Sequence, residues 1–245
     1  MSAPNSRAAR RQHARGGATP PPSRDPMQPI YVGVAVLLVA IIGAFGIMRW
    51  QQQRTIDAAV ATPSPNPNFT SKPIALVDGS TLGAKTFPDG DTKSGGNGAP
   101  IDGIECARQE YTANGFLHIH PHLSLFVNGK QLSIPRSVGL FSPKQPQCIY
   151  WTHTHDASGI LHVEAPQFTA PGGGDFTLGI FFDIWGEPLT RDNVAGHRGA
   201  VVAYVNGAPY DGDLRAIPLK SHQQVVLEVG TPTVPPPRYE FPPTE

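Results

Sequence analysis

An uncharged apolar run, Ile30 to Met48 (IYVGVAVLLVAIIGAFGIM), divides this 245-residue chain into two unlike parts. As a helix rising about 1.5 Å per residue, such a run just crosses a hydrocarbon core about 30 Å thick. Arg49-Trp50 follow it as an interfacial basic and aromatic pair. A cleaved signal peptide is the competing reading, with Ala59-Val60-Ala61 as its small-residue cleavage site. The run is longer than a signal's usual apolar region, and Arg49 to Arg54 separate it from that site, so a retained transmembrane helix over 30–48 is favoured. Arg7, Arg10, Arg11, Arg15 and Arg24 precede it against the single acid Asp25. That bias keeps the N-terminus cytoplasmic and places everything after residue 49 outside the cell membrane, as a single-pass protein. Arg10-Arg11 lacks the apolar pair of a twin-arginine signal.

The flanking composition sets the domain limits. Residues 1–29 hold the run Thr19-Pro20-Pro21-Pro22-Ser23 and almost no bulky apolar residue, so they read as a disordered basic tail. Residues 49–100 read as a flexible tether: Pro63, Pro65 and Pro67 alternate, and Asp89-Gly90-Asp91 and Ser94-Gly95-Gly96-Asn97-Gly98 are turn formers. Asn68-Phe69-Thr70 is a glycosylation sequon within the spacer. Residues 101–231 are the extracytoplasmic domain, and 232–245 a Pro-rich C-terminal tail. The formal net charge is zero, which argues against a nucleic-acid partner. It conceals an asymmetry, with 10 basic and 5 acidic residues up to position 100 and 9 basic and 14 acidic beyond it.

The domain reads as mainly β, a single sandwich or barrel-like unit. Phe116 to Val127 alternates and ends in the turn Asn128-Gly129, the strongest short hairpin signal. Ala200 to Val205 repeats the arrangement before Asn206-Gly207, and FVNGKQLSIP and YVNGAPYDGDLRAIP are loosely alike, as in a duplicated hairpin. Cys148–His155, Ile160–Ala165, Phe176–Ile184 and Gln224–Val229 are further strand candidates, and several short strands with intervening turns suit that class. Phe181 to Gly186 reads as core aromatics at a strand end. Two cysteines, Cys106 and Cys148, fall on the outer side, where an even count favours a disulfide. A Cys148 metal ligand and two free thiols are the other readings.

Eight of the nine histidines follow residue 117, and six of them fall in dense groups: His118-Ile119-His120-Pro121-His122, His153-Thr154-His155-Asp156 and His162-Val163-Glu164. Residues two apart on a strand share a face, so His118, His120 and His122 point one way and Leu117, Ile119, Leu123 and Leu125 the other. Pro121 lacks a ladder donor, so this strand is an edge or is bent. If Asp156-Ala157-Ser158-Gly159 closes a hairpin, His153 lies opposite His162 and Trp151 opposite Glu164. One face then carries Trp151, His153, His155, His162 and Glu164. Imidazole is the commonest ligand for zinc and copper, and three of them leave an open position. His118, His120, His122, His153, His155 and His162 are therefore the candidate ligands, for copper or zinc. Glu164 and Asp156 are candidates for a fourth ligand, a general base or a partner fixing a tautomer. A hydrogen-bonded histidine network without metal is the alternative. His197 and His222 read as ordinary surface or satisfied side chains, and Glu105 and Glu110 as acids within reach of the site.

Other chemistries are excluded by what the sequence lacks. It has no P-loop, no G-x-G-x-x-G and no G-x-S-x-G elbow. No methionine follows Met48, which disfavours a Met-rich copper carrier and a blue-copper axial ligand. The spacings also depart from those of metallo-β-lactamase-like hydrolases and cupins.

The stretches Gly103–Cys106, His118 to His122, Cys148 to Glu164 (CIYWTHTHDASGILHVE) and Phe176 to Gly186 together resemble a family of bacterial and archaeal membrane-anchored extracytoplasmic proteins of uncharacterised function, over residues 101–230. The resemblance implies topology and no catalytic role. Three functions stand open: an extracytoplasmic metal-binding module, a metal-dependent hydrolase or oxidase using the same histidines, and a structural or interaction domain without metal. No protein partner is indicated.

Overall fold

The computed structural model describes residues 28–60, 72–90, 97–141 and 148–243. The chain divides into two compact units, Met1–Met48 and Arg49–Glu245. The apolar run lies within one helix, Gln28–Val60. Its stretch Gly33–Gln51 is apolar and long enough to cross a membrane by length and composition, and Val39, Ile42 and Met48 on it are exposed. The helix opens on Gln28-Pro29, where proline's missing N–H has no carbonyl to meet. It runs past Met48 through residues expected to belong to the tether, because Gln51 to Val60 contain no glycine or proline to stop it. The remainder of the basic tail, the Pro63-Pro65-Pro67 stretch, the sequon and Ser94-Gly95-Gly96 lie outside the described residues.

The second unit is β-rich. Among the described residues, its strands form one five-stranded sheet, three three-stranded sheets and one two-stranded sheet. The five-stranded sheet runs in the order Ala208–Pro209, Val201–Val205, Gln224–Val229, His122–Val127, Lys130–Leu132. It is antiparallel except where Gln224–Val229 and His122–Val127 run parallel. Both Asn-Gly pairs turn the hairpins at its two edges. Asn128 and Gly129 have φ of 48° and 75°, and Asn206 and Gly207 have 51° and 76°. These left-handed pairs are what a two-residue type I′ turn needs.

Leu123, Leu125, Val225, Leu227 and Val229 project from this sheet into the main core. There they meet the helix Leu178–Trp185, in a segment expected as a strand. Thr177 caps that helix by accepting from the Ile180 N–H, and Gly186 at φ 76° ends it by donating to the Phe182 and Asp183 carbonyls. Leu178, Phe181, Phe182, Ile184 and Trp185 are all buried. A short helix buried on most sides shows no polar stripe, so its apolar run imitates a buried strand.

The other face of the sheet is covered by segments expected to be loose. Gln224 grips the backbone of Tyr239 with both ends of its amide, Nε2 donating to the carbonyl and Oε1 accepting from the N–H at 2.9 Å each. Glu228 accepts from the Val234 N–H. Tyr239–Glu240 pairs in parallel with Ile74–Ala75, and Leu76, Ile160 and Tyr239 form a second small core. Residues 72–90 and 232–243 therefore pack on the domain instead of trailing from it. Buried side-chain amides and carboxylates on a central strand seek partners, and the C-terminal segment supplies them through Val234 and Tyr239.

The Cys106–Cys148 disulfide forms, fastening the strand Cys106–Ala107 to Cys148–Tyr150. It leaves no free cysteine among the described residues. Gly159 is where the sheet and the site loop press closest. At φ 89°, a Cβ there would sit 2.5 Å from the Leu123 carbonyl oxygen and 2.8 Å from His122 Nε2. Gly159→Ala is expected to destabilise the domain by about 2–4 kcal/mol. The readout is the urea midpoint at constant m-value, and an unchanged midpoint would contradict this packing.

Candidate metal centre

The site stands on a three-stranded antiparallel sheet whose central strand is His162–Ala165, flanked by Leu117–Ile119 and Thr152–His153. The register sets His118 opposite Glu164 and His153 opposite His162. Period-two alternation then does the sorting. Leu117, Ile119, Val163 and Ala165 enter the main core, while the histidines and Glu164 share the opposite face. Glu164 donates its N–H to the Trp151 carbonyl at 2.7 Å, which keeps the expected Trp151–Glu164 neighbourhood. The juxtaposition of His118 with Glu164 was not foreseeable, because no sequence spacing says which strand flanks the other side of His162–Ala165.

Two sets of donors converge: His118, His120, His162 and Glu164, and His153, His155, His162 and Glu164, each with its ligand atoms all within 4.8 Å of one another. Within the H-x-H pairs, His118 Nε2 and His120 Nε2 lie 3.0 Å apart, and His153 Nε2 and His155 Nε2 lie 3.2 Å apart. Two imidazoles on one tetrahedral zinc, at about 2.0–2.1 Å each, hold their nitrogens about 3.3 Å apart. Each pair thus has the bite of a chelate. Glu164 Oε1 sits among them, 3.5 Å from His118 Nε2 and His162 Nδ1, 3.8 Å from His153 Nε2 and 4.0 Å from His155 Nε2.

The tautomer of His153 is fixed. Its Nδ1–H donates to the Tyr150 carbonyl at 2.9 Å, which leaves the Nε2 lone pair facing the cluster. Tyr150 is itself locked, its hydroxyl donating to the Ala99 carbonyl and accepting from the Gly98 N–H. Gly139 lets the backbone close over this point, since a Cβ there would lie 2.9 Å from the His153 Cβ. Burial, reinforced by His162, pushes the His153 imidazole down to about 3. Burial, with His162 and His118, does the same to His120, also to about 3. Both are therefore neutral donors at pH 7. Burial alone would raise the Glu164 carboxyl, but His118, His155 and His162 beside it, with His153, outweigh that and hold the group well below the usual carboxylate range. Glu164 is 3% exposed and its Oε2 has no hydrogen-bond partner.

Two expected ligands stand elsewhere. Pro121 interrupts the strand, and the chain passes from the three-stranded sheet into the five-stranded one there. His122 therefore faces the other side of a different sheet. Its Nε2–H donates to the Ser158 carbonyl at 3.0 Å, and its ring packs on Tyr239 at 4.1 Å. Asp156 anchors the site loop: Oδ1 accepts from the Ser158 N–H and hydroxyl, and Oδ2 from the Gly79 N–H. Those contacts leave it outside both donor sets. His197 lies edge-on to Phe87 and His222 stacks on Phe241, as ordinary satisfied side chains. Glu110 Oε1 reaches within 3.9 Å of the exposed His155. A cavity of about 480 Å³ opens against His155 and His162 and is also lined by Lys85 and Arg136. Nothing in the sequence pattern announced it.

Comparison with known protein families, characterised proteins and solved structures finds no match to this chain. Assignment therefore rests on the geometry alone.

His122 contributes to the acid limb of stability. Burial holds its pKa down to about 4, against an ordinary 6.5. Between those values the unfolded chain binds a proton that the folded chain does not, so stability falls as pH drops from 6.5 to 4, by about 3 kcal/mol. His120 and His153, held neutral down to about 3, contribute to the same window. His122→Gln is therefore expected to lower the slope in urea titrations by about one proton of three while leaving metal content unchanged. An equally steep limb in the variant would place the titrating group elsewhere.

Proposed function

We propose that this chain is a membrane-anchored extracytoplasmic metal-binding protein that holds copper or zinc with His118, His120, His153, His155, His162 and Glu164. The observation that carries the reading is the convergence of five imidazoles on one buried carboxylate, in two donor sets whose ligand atoms all lie within 4.8 Å of one another. Glu164 stays ionised while buried, and His120 and His153 face it as neutral lone-pair donors. A cation among these donors would add to the stabilisation that the flanking histidines already give the carboxylate. The domain's disulfide belongs to an oxidising compartment, which supports placing it outside the membrane. The apolar helix supplies the anchor.

A second reading, a metal-dependent enzyme, is favoured by the cavity that His155 and His162 share with Lys85 and Arg136. There the ion would supply Lewis acidity, and the cavity would receive a substrate. Glu164→Gln separates the two: loss of metal affinity marks a ligand, whereas retained metal with abolished turnover marks a base.

The full chain, purified in detergent from an oxidising compartment, is expected to carry copper or zinc by elemental analysis, and His153→Ala/His162→Ala to lose it. No metal in either protein, even after reconstitution at neutral pH, would overturn this reading and leave a structural histidine network.

A further inference from the structure

We infer that the centre is dinuclear: one ion on His118 and His120, a second on His153 and His155, with Glu164 as the ligand they share. This rests on the metal-binding reading above and goes beyond it. A single tetrahedral ion is filled by one H-x-H pair together with His162 and Glu164. The other pair would then be left with two ring nitrogens facing each other and no ion between them. That pair would then keep the hydrogen bond between its own two rings in place of an ion, with both nitrogens already at a chelating separation. Both pairs instead have the same chelating separation, 3.0 and 3.2 Å. Both lie against the same carboxylate oxygen, with His118 at 3.5 Å and His153 at 3.8 Å on its two sides.

Glu164 itself is suited to the shared position. It lies on the central strand of the sheet, and the two pairs come from that strand's opposite neighbours. Its Oε2 is buried with no hydrogen-bond partner, so the second oxygen is available as a ligand. His162, on the same strand, stacks on His153 at 5.3 Å and meets His120 edge-on at 4.7 Å, so it lies between the pairs and completes either one. Each half has one buried and one solvent-facing imidazole, since His118 and His155 are 34% and 40% exposed while His120 and His153 are buried. Water at those open edges can fill the coordination positions that protein donors leave.

The test is titration of the full chain in detergent with Cu(II), read by bound metal and by electron paramagnetic resonance. Two equivalents are expected, with a half-field transition that reports two coupled ions. His118→Ala/His120→Ala and His153→Ala/His155→Ala should each bind one equivalent, with an uncoupled signal. The wild-type stoichiometry and coupling decide the matter even if a variant fails to fold. One equivalent in the wild type would overturn the dinuclear centre and leave the metal-binding reading standing. Two equivalents without coupling would overturn the shared ligand. No bound copper would overturn the dinuclear copper centre, and no bound zinc either would overturn the metal-binding reading with it.

Discussion

A carboxylate that remains ionised at 3% exposure is the constraint on which this domain's site is arranged. Glu164 cannot be surrounded by apolar residues, because an isolated buried charge costs several kcal/mol. It cannot be surrounded by protonated histidines either, because burial keeps His120 and His153 neutral well below physiological pH. His118, His155, His162 and His153 hold it instead, and their nitrogens converge in a geometry able to take a metal ion. The sheet beneath it supplies the rigidity. Glu164 and His162 alternate with Val163 and Ala165, which are fully buried in the main core, so the strand cannot rotate its polar face away without exposing its apolar one.

That coupling extends outward through backbone contacts. Tyr150 orients His153 through its carbonyl and is pinned at its hydroxyl by residues 98 and 99. The disulfide ties the same strand to Cys106. On the other side, the His122–Ser158 hydrogen bond and the Asp156 anchors hold the loop that carries His155 down to His162. Residues that contribute no ligand thus fix those that do, and His122 and Asp156 belong with these supports.

The sequence made the local chemistry legible and left the long-range assembly hidden. Period-two alternation and the Asn-Gly turns announced the hairpins, because such signals involve only adjacent residues. The facing of His153 and His162 followed from a short loop. The flank of His162–Ala165 occupied by Leu117–Ile119 did not, since strand order is set by the fold as a whole. FTLGIFFDIW reads as a strand because a helix buried on most sides has no polar stripe; only Thr177 and Gly186, a cap at each end, signalled otherwise. Residues 72–90 and 232–243 read as loose because they are rich in turn formers. The place of the C-terminal segment depends on Gln224 and Glu228, polar residues inside an apolar strand whose need for partners was the available clue, and residues 72–90 pair with it through Ile74–Ala75.

The burial gradient across the centre bears on what such a site is built to do. A structural zinc site has its four positions filled by protein ligands, whereas a catalytic one keeps a position open. Here each H-x-H pair joins a buried imidazole to one that meets solvent, His120 with His118 and His153 with His155. The buried member fixes position, while the exposed member packs against it and presents its other side to solvent. An ion held this way has one route in and out, past the exposed ring, with no need to open the core. At His155 that route meets Glu110 and the cavity bearing Lys85 and Arg136, so an arriving ligand encounters charge of both signs before it reaches the centre. Exchange at a solvent edge, over a centre anchored by one buried anion, accords better with loading and release or with substrate access than with a purely structural ion.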